Sequence, residues 1–173
     1  MRYAAYGSNL HPLRLSDRIP SAQFIAAGYL PNRSLCFHKR SKDHSAKCNI
    51  LVGDDGVHFA IFEISNKDKM TLGKIEGVGF GYSEILLSLP DFGDCVSYIA
   101  EKSHIDNSLR PYDWYKEFVL LGARFHGFPD EYLKRIESIQ ALCDPNPSRR
   151  AKEWETVEMV RAGSWRSGLK GQR

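Results

Sequence analysis

The sequence predicts a protein of the α+β class. Six or seven segments have the composition of β-strands, and three or four have the periodicity and end signals of helices. Two pairs of strand segments are separated by short turn-forming stretches, which is typical of antiparallel hairpins. With 42% hydrophobic and 26% charged residues in 173, the chain is expected to form a globular domain with a real core.

The first strand is predicted over Tyr3–Tyr6, an uncharged run that ends at Gly7-Ser8-Asn9. Glycine lets the backbone approach a ligand closely, and serine and asparagine favour turns. Free N–H groups in such a turn can cradle an anion. An ordinary strand and turn without a ligand is the alternative.

A short helix is predicted next, within residues 11–20, with Pro12 in its first turn and Pro20 at its end. Its N-terminus would add a positive dipole end to the anion cradle. Arg14 and Arg18 lie four residues apart on one face of this helix. We expect both side chains to lie on the solvated surface.

Strands are predicted at residues 22–30 and 33–38, followed by an exposed polar loop at 39–47 that could form a lid beside a pocket. Residues 48–52 and 57–64 flank the turn sequence Gly-Asp-Asp-Gly and predict a β-hairpin.

A helix capped by Ser65 is predicted to end at Glu76, where three glycines occur within a few residues. A carboxylate at a helix C-terminus faces the negative end of the dipole. With apolar neighbours, a buried Glu76 would have a raised pKa and would be a candidate acid/base. A surface glutamate before a glycine turn is the alternative.

The remaining elements are a second hairpin, a polar connector at 101–110 and three helices. The predicted hairpin strands are 82–89 and 93–100, and the predicted helices are 111–125, 130–139 and 151–161. We divide the chain into a main domain at 1–145 and a C-terminal helix with a basic tail at 146–173, of which 162–173 are expected to fray.

Three segments resemble the γ-glutamylcyclotransferase family. The sequence Tyr6-Gly7-Ser8-Asn9-Leu10 is similar to the signature loop of that family. Glu76-Gly77 followed by Gly81-Tyr82 resembles its catalytic segment, although the interval from glutamate to tyrosine is one residue shorter than in the family pattern. The pattern from Pro111 to Tyr132, which includes Tyr115, resembles its helical pair. The resemblance covers about residues 3–142.

The resemblance implies a site, an activity and a fold. Glu76 would be the catalytic acid/base, and the residues expected to bind a small γ-glutamyl substrate are Tyr6, Gly7, Ser8, Asn9, Leu10, Tyr82 and Tyr115. The reaction would release 5-oxoproline and an amine or amino acid, and it needs no cofactor or metal. The fold would be a small mixed β-barrel or a strongly curved sheet with peripheral helices. Tyr115 could equally serve helix packing alone.

Composition limits the other possibilities. No apolar run approaches 18 residues and no signal pattern opens the chain, so we expect a cytoplasmic protein. The four cysteines have neither zinc nor disulfide spacing, so we expect reduced, mostly buried thiols. The net charge of +3 comes from residues 149–173, which carry +4 against −1 for the rest, so no nucleic-acid partner is expected.

Three questions stay open at this point. A non-catalytic module that binds a γ-glutamyl compound or another small carboxylate is an alternative function, and an interaction role for the basic tail is another. The leaving group is also open, since glutathione, a γ-glutamyl amino acid, a γ-glutamyl amine and a biosynthetic intermediate all present the same glutamyl end. The oligomeric state is unknown.

Overall fold

The computed structural model describes residues 1–163 and has a mixed α+β fold. The strands are β1 (Arg2–Ala5), β2 (Gln23–Leu30), β3 (Arg33–Arg40), β4 (Ala46–Val52), β5 (Val57–Glu63), β6 (Tyr82–Leu89) and β7 (Gly93–Ala100). The helices are α1 (Pro12–Arg18), α2 (Asn66–Glu76), α3 (Asp113–Phe125), α4 (Asp130–Ser138) and α5 (Pro147–Arg161), with a 3₁₀ turn at Lys102–His104 in the polar connector.

Five strands form one mixed sheet in the order β2-β5-β1-β7-β6. β1 lies at its centre, antiparallel to β5 and parallel to β7, so both of its edges are paired. Its residues Tyr3, Ala4 and Ala5 are buried. The predicted hairpin at 82–100 is confirmed, because β6 and β7 pair antiparallel over their whole length. The signature loop therefore leaves the sheet from its central strand.

β3 and β4 form a separate two-stranded sheet. The buried side chain of Asn49 joins it to the larger sheet, since Asn49 Oδ1 accepts a hydrogen bond from the Ala100 amide at 2.8 Å. Within residues 1–163 the strands do not close into a barrel, and the curvature implied by the family resemblance stays a prediction.

The predicted hairpin of 48–52 with 57–64 is wrong. β4 pairs with β3, whereas β5 pairs with β1 and β2, so Gly53–Gly56 carries the chain from one sheet to the other. Gly56 has φ +76°, and a Cβ there would lie 2.1 Å from Tyr29 Oη. Gly56 permits the chain to cross between the two sheets. The Gly-Asp-Asp-Gly sequence indicates a turn, but it does not determine which strand β4 pairs with.

The predicted exposed loop at 39–47 is shorter and more buried than expected. β3 continues to Arg40 and β4 begins at Ala46, which leaves only residues 41–45 outside the strands. Lys39 and Ser45 are buried. The register of β3 against β4 shifts between Phe37 and Lys39, an irregularity of the kind that re-aims a side chain.

α5 packs against α3 and uses the basic residues of the C-terminal region for pairing. Arg149 bonds to Asp144 at 2.6 Å, and Arg150 Nη2 lies 2.9 Å from Asp113 Oδ2. Arg161 bonds to Glu117 at 2.9 Å. The part of the expected basic tail that spans residues 164–173 lies outside the described residues. Within residues 1–163 no helix is long and apolar enough to cross a membrane.

All four cysteines are free thiols. Cys48 and Cys95 are buried as expected, whereas Cys36 is half-buried and Cys143 is exposed. Cys48 is the cysteine that matters for the site, because it lies on β4 beside the signature loop.

Candidate active site

A cleft of about 320 Å³, including its mouth, opens between the end of β1, β4, the end of α2 and α3. Half of the residues that line it are tyrosines. The lining residues are Tyr3, Tyr6, Gly7, Ser8, Asn9, Cys48, Glu76, Tyr82, Tyr98 and Tyr115. Seven of the eight residues predicted for the site are therefore together in one cleft.

The signature loop forms a tight turn, closed by a hydrogen bond of 3.0 Å from the Leu10 amide to the Gly7 carbonyl. Within residues 1–163 the amides of Gly7, Ser8 and Asn9 donate no hydrogen bond to the protein. Buried backbone donors are normally satisfied, so consecutive free donors beside a cleft are suited to bind an anion.

Gly7 is required by close packing rather than by its backbone angles. A Cβ at this position would lie 3.2 Å from Cys48 Cβ and 3.4 Å from Tyr115 Oη. The loop therefore lies directly against the strand and the tyrosine that form the opposite wall.

Leu10 is the predicted site residue that does not line the cleft. Its side chain is fully buried against α3, where a Cβ at Gly122 would lie 2.3 Å from Leu10 Cβ. The Leu10 carbonyl also lies 2.8 Å from His126 Nε2. Leu10 thus anchors the signature loop to α3 instead of lining the cleft.

Glu76 is the last residue of α2, and Gly77 ends the helix in the left-handed conformation at φ +74°. The end of α2 lies beside the signature loop, where Glu76 Oε1 accepts a hydrogen bond of 2.6 Å from Asn9 Nδ2. Burial raises the pKa of Glu76 above its ordinary value, while the charges of Arg18, Lys39 and Arg14 act in the opposite direction. The expected raised pKa is thus present, and desolvation is its main cause.

Asn9 connects the carboxylate to a cation. Its Oδ1 accepts a hydrogen bond of 3.2 Å from Arg18 Nη1, so its Nδ2 is oriented toward Glu76. The surface assignment of the two α1 arginines is corrected here: Arg14 is 5% exposed, with its guanidinium over the ring of Phe118, and Arg18 is half-buried at the cleft. The helix face that carries them packs toward α3 and the site.

Tyr82 and Tyr115 meet at Cys48. The Tyr82 hydroxyl donates to the Cys48 carbonyl, and the Tyr115 hydroxyl accepts from the Cys48 amide at 3.1 Å. Burial raises the pKa of both tyrosines well above the ordinary value, so both hydroxyls stay protonated at neutral pH. The Tyr115 proton is therefore left for a ligand, because its oxygen already accepts from the backbone.

Beyond Glu76 the cleft continues into a larger chamber of about 760 Å³, including its mouth, which we call the outer chamber. It shares Ser8, Glu76, Tyr82 and Tyr115 with the cleft. Its other lining residues are mostly basic or aromatic: Arg14, Arg18, Lys39, Ser41, Asp43, Lys47, Ile75, Trp114, Arg149 and Glu153.

Comparisons with known proteins find similar sequences over nearly the whole chain. The chain is 28% identical over 170 residues to the γ-glutamylcyclotransferase of Bos taurus, covering 93% of this chain and 88% of that protein. It is 27% identical over 172 residues to the γ-glutamylcyclotransferase of Mus musculus, with the same coverage. No protein-family model matches the chain.

Solved structures give the same result at the level of the fold. A structure titled "Gamma-glutamyl cyclotransferase" superposes with a TM-score of 0.79 at 25% identity, over 91% of this chain and 98% of that one. A structure of an uncharacterized Homo sapiens protein has a TM-score of 0.78 at 26% identity, over 91% of this chain and 97% of its own. The chain is therefore similar to γ-glutamylcyclotransferases in sequence and in fold over nearly its whole length.

The similarity to proteins named γ-glutamylcyclotransferase supports an enzyme of that kind. The similarity to the curated relatives covers 93% of the chain, which is longer than the span of residues 3–142 covered by the motifs. α5 packs on α3 in the described structure, as expected for an element that belongs to the same folded unit.

Three residues that line the cleft were not predicted from the sequence. Tyr3 lies on β1, Cys48 lies on β4, and Tyr98 lies on β7. The Tyr98 hydroxyl is buried and has no hydrogen-bond partner in residues 1–163. Only the pairing of β1 with β7 brings Tyr98 to the cleft, so no local pattern could have identified it.

Side chains that could ligate a metal are not clustered within residues 1–163. Within residues 1–163 no cluster of three or more His, Cys, Asp or Glu side chains could hold a metal ion. The groups that the site offers are one carboxylate, backbone amides and neutral tyrosine hydroxyls.

Proposed function

We propose that the chain is a cyclotransferase that converts a γ-glutamyl compound into 5-oxoproline and a free amine. The α-amine nitrogen of the glutamyl group attacks its own γ-carbonyl carbon, a five-membered lactam forms, and the bond from that carbon to the leaving nitrogen breaks. No water is consumed. Because the reaction is intramolecular, the protein has to fold the substrate and help its α-nitrogen lose two protons, of which one goes to the leaving nitrogen and the other to solvent.

Glu76 is assigned the proton transfer in this proposal. As a carboxylate it takes a proton from the α-ammonium, and as a carboxylic acid it gives that proton to the departing amine. A pKa raised by burial suits both halves of the cycle, because a base with an ordinary glutamate pKa would hold the proton too weakly. Asn9 holds the carboxylate in place.

The signature loop is assigned the binding of negative charge. The free amides of Gly7, Ser8 and Asn9 are proposed to hold the substrate α-carboxylate and to stabilise the oxyanion that develops on the γ-carbonyl oxygen. Tyr82 and Tyr115 would form the wall beside the glutamyl chain, and the unpartnered hydroxyl of Tyr98 offers a further hydrogen bond.

The observation that supports this proposal most strongly is a single juxtaposition. A half-buried carboxylate with a raised pKa lies in the same small cleft as three consecutive free amides, joined to them by the 2.6 Å hydrogen bond between Asn9 and Glu76. Cyclisation of a zwitterionic substrate requires these two elements together, one to move a proton and one to hold an anion.

A product assay tests the proposed function. Purified protein would be incubated with γ-glutamyl amino acids, γ-glutamyl amines and glutathione, and 5-oxoproline, free glutamate and the free amine would be measured. We expect 5-oxoproline and the amine in equal amounts from at least one class, without glutamate. Glutamate instead of 5-oxoproline would indicate hydrolysis and contradict the proposal. Tight binding without any product would instead favour the non-catalytic binding module.

A further inference from the structure

The edge of β4 that faces away from β3 is held by side chains. The backbone amide and carbonyl of Cys48 are bound by the hydroxyls of Tyr115 and Tyr82. In an antiparallel pair the amide and the carbonyl of one residue point to the same side of the strand, so both face away from β3 here. The positions of the two tyrosine hydroxyls therefore depend on where Cys48 lies.

The end of β7 lies across a gap from this edge. β1 and β7 run parallel with Tyr3 opposite Val96, so Ala100 at the end of β7 extends beyond the end of β1. The Ala100 amide donates a hydrogen bond of 2.8 Å to Asn49 Oδ1. The Asn49 side chain thus spans the gap between β4 and β7, directly next to Cys48 in the chain.

The orientation of the Asn49 amide follows from its partners. A backbone N–H can only donate, so the atom that accepts from Ala100 is the side-chain oxygen. The nitrogen Nδ2 then donates to His38 Nε2, which lies 3.0 Å away. His38 therefore carries its ring proton on Nδ1, which is 2.9 Å from Asn107 Oδ1. Asn49 and His38 are both buried, and their bonds fix each other's orientation.

Removal of the Asn49 side chain would reach the cleft through the backbone. The Ala100 amide would become a buried donor without an acceptor, and β4 would lose this attachment to β7. Cys48 directly precedes Asn49, so its amide and carbonyl would move with the strand. The tyrosine hydroxyls bound to those two groups belong to the proposed wall beside the glutamyl chain.

We propose that Asn49 is a positioning residue that holds the tyrosine wall of the cleft in place through the backbone of Cys48. This role rests on the proposed cyclotransferase reaction. Asn49 does not line the cleft, and within residues 1–163 it makes no hydrogen bond to Glu76 or to the signature loop. It therefore acts on the fit of the substrate and not on the proton transfer. The expected signature is a higher KM with kcat preserved.

The tautomer of His38 tests the network in the unmodified protein, independently of activity. In a long-range ¹H–¹⁵N NMR spectrum at mildly alkaline pH, we expect a protonated Nδ1 and an unprotonated Nε2. The His38 signals would be assigned by comparison with His38→Gln. A proton on Nε2 would mean that Asn49 turns its oxygen to His38 and leaves the Ala100 amide unpaired, which overturns the proposal.

Asn49→Ala tests the role in turnover, with whichever of γ-glutamylalanine, γ-glutamylethylamine and glutathione yields 5-oxoproline. We expect KM to rise about fivefold or more and kcat to stay within about twofold, because a displaced wall weakens binding. An unchanged KM overturns the proposal, and so does a loss confined to kcat.

Ile64→Val is the control for a loss of stability alone. Ile64 is buried, and its amide donates to the Met1 carbonyl at the opposite end of β1 from the cleft. The deleted methylene group should lower the melting temperature and leave KM unchanged. A higher KM in this variant would show that KM responds to any destabilisation, which removes the support for Asn49.

Tyr82→Phe tests whether Asn49 acts through the tyrosine wall. Because Tyr82 and Asn49 hold the same stretch of β4, the double variant should raise KM by less than the product of the two single effects. Single effects that multiply in full would show that the two residues act independently, and that result overturns the proposal.

Asn49→Ser replaces Asn49→Ala if the alanine variant does not fold, since the gap can then admit a water molecule that accepts from Ala100. The same increase in KM is expected, and an unchanged KM has the same meaning. If none of the three compounds yields 5-oxoproline, the proposed function fails and the positioning role fails with it, whichever tautomer His38 adopts.

Discussion

Asn9 Nδ2 donates a hydrogen bond of 2.6 Å to Glu76 Oε1 and joins two residues that are 67 positions apart in the chain. The bond connects the loop after the central strand to the C-terminus of α2. One end of Asn9 holds the carboxylate, and the other accepts from Arg18. The predictions below for Asn9, Arg18 and Glu76 depend on this connection.

Asn9→Ala removes the hydrogen bond that favours the charged form of Glu76. We expect kcat/KM for 5-oxoproline formation to fall by about 10–100-fold, since hydrogen bonds to charged groups contribute ~1.5–3 kcal/mol. The measurement is steady-state kinetics, with circular dichroism and thermal unfolding as the check on folding. A folded Asn9→Ala protein with normal kinetics would show that the bond has no part in turnover.

The pH dependence of kcat/KM reports the pKa of Glu76. Because burial raises that pKa above its ordinary value of about 4.5, the base form is lost as pH falls through a value above 4.5, and activity falls with it. Arg18 acts against this rise, so Arg18→Gln should move the acidic limb of the profile to higher pH. Lys152→Gln, on the exposed face of α5, is the control. A limb that stays in place or moves to lower pH in Arg18→Gln would contradict the electrostatic account.

Gly7→Ala places a methyl group between the signature loop and the opposite wall. It would lie 3.2 Å from Cys48 Cβ and 3.4 Å from Tyr115 Oη, and because φ of Gly7 is not positive, the backbone accepts alanine. We expect a folded protein with a higher KM, because the loop has to move away from the wall.

Gly127→Ala is the opposite case and serves as the control. No atom lies within 4 Å of a Cβ at Gly127, but its φ is +63°, so alanine there should cost ~1 kcal/mol of stability and leave KM unchanged. Comparing KM and the free energy of unfolding for both variants separates the two effects. Equal KM values for Gly7→Ala and the unmodified protein would indicate that the loop does not contact substrate.

Local sequence patterns predicted the elements that depend on near neighbours. The Ser65 cap and the glycine after Glu76 fix both ends of α2, and the β6–β7 hairpin follows from one short turn. The position of Glu76 at a helix end and the turn at Gly7 are therefore readable from the chain. They are the same features that carry the family resemblance.

Features that depend on distant partners were not predictable in this way. β5 pairs with β1 and β2 rather than with its neighbour β4, because strand pairing is decided across the whole fold. Arg14 is buried because Phe118 of α3 covers it. Lys39 is buried because Gly81 and Tyr82 of another hairpin receive its side chain. Arg14 and Lys39 are thus charged residues whose burial depends on a contact far away in sequence.

The measurement that tests the central proposal most directly is 5-oxoproline formation by Glu76→Gln beside the unmodified protein. Glutamine can still accept the hydrogen bond from Asn9, and it removes a carboxylate whose ionised form burial destabilises, so the variant should be at least as stable at neutral pH. Glu155→Gln, an exposed substitution on α5, is the matched control. We predict that Glu76→Gln folds, binds substrate and loses about 10²–10⁴-fold in turnover, while Glu155→Gln is unaffected. A folded Glu76→Gln protein with unchanged turnover would contradict the role assigned to Glu76.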